Sequence, residues 1–135
     1  MRFASIVRRL CLGGALLGCA PEFPRFPDFA GATRIVVTSR AGQDTLAVIT
    51  DPATAAAAAA FADARNGRWR QPWAPAVVPR VRAEFWREGE FLGSFAAGPD
   101  FFETERAGAF AARSATPRDV AAFARTLGVA RRVGL

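Results

Sequence analysis

The chain has 135 residues, 51% of them hydrophobic, a formal net charge of +6, two cysteines, and neither histidine nor tyrosine. That length fits one domain with a single core that needs neither metal nor crosslinks. Every basic residue is an arginine, and these are interspersed with acidic residues, so the dense basic stripe that a phosphate backbone requires is missing and nucleic acid is not an expected partner.

Residues 1–19 are ordered as a secretory signal. Arg2, Arg8 and Arg9 form a positive end, and Leu10 to Leu17 is a short apolar stretch broken by Gly13 and Gly14. A spanning helix needs roughly 20 apolar residues, so this stretch is too short to remain as a transmembrane anchor. Its removal would take three arginines and halve the excess positive charge. Both cysteines, Cys11 and Cys19, lie here, which leaves the body without a disulfide, a thiolate metal site or a cysteine nucleophile. Leu16-Leu17-Gly18-Cys19 resembles the lipobox of bacterial lipoprotein precursors. That resemblance implies diacylglycerol on the Cys19 thiol, cleavage before Cys19 by signal peptidase II, and a membrane anchor of lipid on that cysteine. It also implies the outer membrane, because Ala20 is not the aspartate that commonly retains lipoproteins at the inner one; the domain would face the periplasm or the cell surface. An ordinary cleavage after Ala20 is the alternative, although it would place Pro21 directly behind the cut bond.

The next nine residues are three Pro-x-Phe units: Pro21-Glu22-Phe23, Pro24-Arg25-Phe26 and Pro27-Asp28-Phe29. Proline every third residue favours polyproline II, with three residues per turn and no internal hydrogen bonds. At about 3.1 Å per residue the stretch spans about 28 Å as a semi-rigid spacer. Its period sorts Phe23, Phe26 and Phe29 onto one edge, which either packs on the domain or forms a docking stripe for an envelope protein partner. The expected organisation is a signal peptide over residues 1–18, a lipidated cysteine and spacer over 19–31, and one domain over 32–135.

Within the domain, Thr33 to Thr38 is rich in β-branched residues and predicts a strand, and Thr45 to Ile49 returns after a turn at Ala41-Gly42-Gln43-Asp44. Asp51 is placed as an N-cap with Pro52 at the first helical position, and the alanine-rich helix runs to Arg65 with Gly67 just past its end. Alanine favours the helix but buries little surface, so this helix must pack closely, with Phe61 its one large knob. A loop over 66–79 holds Trp69 and Trp73. Val81 to Arg87 alternates, with Val81, Ala83 and Phe85 on one face and Arg82, Glu84 and Trp86 on the other; Glu88-Gly89 turns it into a strand carrying Phe91, Gly93 and Phe95. Phe101 to Thr104 and Ala109 to Arg113 predict two further strands. Thr116 and Pro117 open a last helix with Val120, Phe123 and Leu127 on one face and Gly128 at its end. The order β-β-α-β-β-β-β-α predicts an α+β fold, an antiparallel sheet with two helices packed on one face.

Catalytic chemistry is not expected. There is no histidine, the serines Ser39, Ser94 and Ser114 have no base to activate them, and no phosphate loop, metal-ligand cluster or cofactor motif is present. Glu84, Glu88, Glu90, Glu103 and Glu105 read as solvated strand faces. The one constellation of recognition character is Arg68-Trp69-Arg70-Gln71-Pro72-Trp73 with Trp86, since tryptophan and arginine both anchor binding surfaces by stacking on flat groups; a loop folding its tryptophans over the core edge would account for the same residues. The sequence therefore predicts a non-enzymatic envelope lipoprotein. Its domain is expected to act as a protein-interaction or assembly accessory, with a small-ligand or glycan-binding module as the alternative.

Overall fold

The computed structural model of the chain describes residues 27–39, 43–71 and 78–135. The expected lipobox with Cys19, the first two Pro-x-Phe units with Phe23 and Phe26, part of the first turn, and Trp73 lie outside the described residues.

Six strands form one antiparallel sheet: β1 (Arg34–Ser39), β2 (Asp44–Ile49), β3 (Val81–Arg87), β4 (Glu90–Ala97), β5 (Phe101–Arg106) and β6 (Ala109–Ser114), in the spatial order β2-β1-β3-β4-β5-β6. Helix α1 (Pro52–Asp63) joins β2 to β3, and α2 (Pro117–Thr126) follows β6. The fold is α+β, as its alternating strands and capped helices predict.

Each helix begins where its cap chemistry places it. The Asp51 carboxylate accepts from the Thr54 N–H at 2.9 Å, and the Thr116 hydroxyl accepts from the Asp119 N–H at 3.1 Å, each with proline in the first turn. In α1 the buried residues are Ala55, Ala58, Ala59 and Ala62, the spacing of one helical face. This small-residue face enters the core, α1 lies close to α2, and Phe61 reaches beside it to Phe95, Phe102 and Phe123 at centroid distances of 6.4, 6.0 and 5.3 Å. From α2, Val120, Phe123 and Ala124 enter the same cluster. Both helices thus cover one face of the sheet, whose inward residues are Ile35, Val37, Val81, Ala83, Phe85, Phe95, Ala97, Phe102 and Ala111. Each fully buried phenylalanine contributes about 1.5–3 kcal/mol of transfer free energy.

The strand pairing places Phe91 where simple alternation would not. In the β3–β4 ladder Phe85 faces Gly93 but Trp86 faces Phe91, so one extra residue, Leu92, is inserted as a bulge. Phe95 therefore points into the core, whereas Phe91 is turned to the open face. There it meets Trp86 at 5.0 Å between centroids and stays 41% exposed.

The domain also begins earlier than residue 32. Phe29 is fully buried and stacks on Phe85, with ring centroids 4.1 Å apart and planes 3° from parallel. Its N–H donates to Asp63 Oδ1 at 2.9 Å, and Pro27 is buried as well. Gly93 makes room for this ring: its φ is +143°, and a Cβ there would meet both Phe29 and the carbonyl oxygen of Glu105. The last Pro-x-Phe unit is thus core rather than spacer, and Phe29 is not available to a docking stripe.

Candidate functional site

Among the described residues, a groove of about 750 Å³ is lined by Arg68, Arg70, Gln71, Phe101, Ala112, Arg113 and Ser114. It lies at the β6 edge of the sheet and is assembled by the loop that follows α1. Arg70 donates its N–H to the Ala112 carbonyl at 2.9 Å and accepts from the Ala112 N–H at 2.8 Å, so a single antiparallel bridge ties the loop to β6.

Trp69 fixes the loop from the inside. It is 8% exposed and packs edge-on against Phe95 at 5.9 Å. Its Nε1–H donates to the Arg65 carbonyl at 2.7 Å, and Arg65 Nη1 in turn donates to the Phe61 carbonyl at 2.6 Å. Two carbonyls that the end of α1 leaves without helical partners are satisfied in this way. With the middle residue turned inward, its neighbours Arg68 and Arg70 are left exposed. Arg68 takes the left-handed conformation, φ +65°, which costs a non-glycine residue about 1–2 kcal/mol. Strain of this kind is held in place by the packing around it and gathers at functional sites.

Arg113 supplies the third cation from β6. Its Nη1 donates to the Gly67 carbonyl at 2.8 Å, its guanidinium lies 5.7 Å from the centre of the Trp69 ring, and its Nε is buried without a hydrogen-bond partner among the described residues. Burial, and after it the charge of Arg68, push the Arg113 guanidinium below the ordinary arginine value, with Asp119 opposing. No carboxylate lines the groove among the described residues. The carboxylate acting on this neighbourhood, Asp119, pairs with Arg65 at 3.7 Å, and Arg65 also sits over the Phe61 ring at 3.4 Å. The region around the end of α1 therefore carries an excess of positive charge.

Phe101 completes the wall. Phe102 points into the core and Phe101 to the other face, as successive strand residues must. The Phe101 ring rests on Gly98, where any Cβ would overlap it, and the Gly98 N–H donates to the Phe101 carbonyl at 3.0 Å. The ring is thereby held half-buried on the open face with its strand partner Ser114, whereas Arg113, the partner of Phe102, is on the helix face of β6.

The residues that the sequence grouped are separated by the fold. Arg68 and Arg70 meet at the groove, Trp69 belongs to the core, and Trp86 lies on the open face of the sheet with Phe91. Arg113 and Phe101 complete the site from β5 and β6, more than thirty residues away in sequence. Their part in it depends on the Arg70–Ala112 bridge, which no local pattern announces.

A second polar cluster crosses the open face. Arg82 Nη2 donates to Glu103 Oε1 at 2.9 Å, Arg82 Nη1 donates to Ser94 at 3.2 Å, and Glu105 lies 4.0 Å away. Ala96 pairs with both Arg82 and Glu103 and is fully buried between them. Glu103 is 7% exposed, so it is an ion-pair member and not the solvated carboxylate expected of its strand. No group of three or more Asp, Glu, Cys or His among the described residues is placed to hold a metal ion, and no described helix is long and apolar enough to cross a membrane.

The sequence matches no family model, no curated protein and no solved structure.

Proposed function

We propose that the chain is a non-enzymatic bacterial envelope lipoprotein, anchored by lipid on Cys19, whose domain recognises an anionic group in the Arg68–Arg70–Arg113 groove. The observation that carries the recognition reading is the gathering of three arginines around one concavity that no carboxylate lines among the described residues. Arginine presents its donors in a planar fork suited to carboxylate and phosphate oxygens, and such pairs are stronger than neutral hydrogen bonds. The anchor reading rests on Leu16-Leu17-Gly18-Cys19 and its resemblance to a lipobox. The outer membrane, with the domain facing the periplasm or the cell surface, follows from Ala20 by the same resemblance.

A protein-interaction role on the open sheet face is the second reading. It is favoured by Phe91, 41% exposed there beside the half-buried Trp86, and by Phe110, 44% exposed on the same face two strands away. Site-specific photocrosslinking in intact cells separates the two, with the photoreactive residue at position 70 or at position 91. The groove reading expects a discrete adduct from position 70 that Arg68→Glu abolishes. An adduct from position 91 alone would contradict it and favour the sheet face. Cys19→Ser should release the protein from the membrane fraction; continued membrane attachment with unchanged processing would defeat the anchor.

A further inference from the structure

We infer that the groove takes a small organic anion, with a phosphate or carboxylate head on Arg68 and Arg70 and an aromatic body on Phe101. The inference deepens the groove reading above and rests on it.

Three features point to this ligand chemistry. The first is the density of residues that carry donors: Arg68, Arg70, Gln71, Arg113 and Ser114 line one concavity. The second is preorganisation. Trp69 locks the loop by its ring packing and its hydrogen bond to Arg65, Gly67 accepts from Arg113, and Arg70 is bridged to Ala112, so the loop that carries Arg68 and Arg70 is held at the β6 edge before any ligand arrives. The third is the half-exposed Phe101 ring. Its seat on Gly98 fixes its position at the groove wall, and an aromatic ring offers a planar ligand an offset-stacking surface. A volume of about 750 Å³ falls in the range of small-molecule sites and well exceeds what an inorganic ion needs.

The test is isothermal titration of the full chain in non-ionic detergent with phenyl phosphate, benzoate, inorganic phosphate and polyglutamate. Phenyl phosphate or benzoate should saturate the protein at or below about 1 mM, and the stronger of the two identifies the head group. Affinity should fall about tenfold in Arg68→Gln/Arg70→Gln, whose changed residues are exposed and leave the core intact. Phe101→Leu should weaken phenyl phosphate more than inorganic phosphate. If neither aromatic anion saturates while polyglutamate binds through Arg68 and Arg70, the small-ligand inference is overturned and the groove reading stands. If no anion binds, both fall. Equal loss of phenyl phosphate and inorganic phosphate in Phe101→Leu would remove the aromatic part.

Discussion

Phe29→Ala is the sharpest test of the packing, because the sequence leaves that residue either packed on the domain or in a docking stripe and the structure places it in the core. The ring is fully buried, stacked 4.1 Å from Phe85 and in contact range of Gly93, while its backbone N–H is held by Asp63. Removing such a ring forfeits its transfer free energy and leaves a cavity that Phe85 cannot fill without losing its own contacts, a cost of about 3–5 kcal/mol. Domains of this size have total stabilities of about 5–15 kcal/mol, so the variant should lose a large share of its stability. Phe91→Ala is the matched control, since it removes the same side chain from an exposed position and should cost less than about 1 kcal/mol. Urea denaturation of the two variants and the parent, followed by circular dichroism, measures the difference. A loss below about 1 kcal/mol for Phe29→Ala would show that the ring is not part of the core.

Other outcomes follow from the same packing. Gly93→Ala should destabilise the domain by at least about 1–3 kcal/mol, because φ +143° and the nearby Glu105 carbonyl both exclude a Cβ; unchanged urea unfolding would contradict this. Arg82→Met and Glu103→Gln should each cost about 1–3 kcal/mol, and their double-mutant cycle should show coupling of at least about 0.5 kcal/mol. Strict additivity would mean that the 2.9 Å pair contributes nothing. Burial raises the Asp63 carboxyl above its ordinary value, against the hydrogen bond from Phe29. The folded state then takes up a proton before the unfolded state does as pH falls, so this group adds stability on acidification from neutral pH into the carboxylate range and loses it as pH rises through the raised value. Asp63→Asn keeps an acceptor for the Phe29 N–H and should flatten that part of the stability–pH curve; an unaltered curve would mean that Asp63 does not contribute to it.

The elements were legible because their signals are local. Asp51-Pro52 and Thr116-Pro117 mark helix starts that the structure keeps, and the Val81–Arg87 alternation assigns each residue to its observed face. What remained hidden depends on long-range pairing. The bulge at Leu92 changes which face Phe91 occupies; Gly93 beside it is a local mark of an irregular strand but does not say which residue is inserted, and Phe29 reaches the core only because the same Gly93, far along the chain, leaves space for it. For the site, Arg68 and Arg70 were visible as an arginine-rich loop, but Trp69 between them serves the core and the α1 end. Arg113 and Phe101 could be placed beside them only through the Arg70–Ala112 bridge.

The account as a whole depends on a domain held at a membrane by Cys19, and intact-mass analysis of the protein purified from membranes tests this most directly. The account predicts a mature chain that begins at Cys19 and carries a diacylglyceryl group, lost in Cys19→Ser. A chain beginning at Pro21, or one that keeps residues 1–18 with an unmodified Cys19, would contradict it.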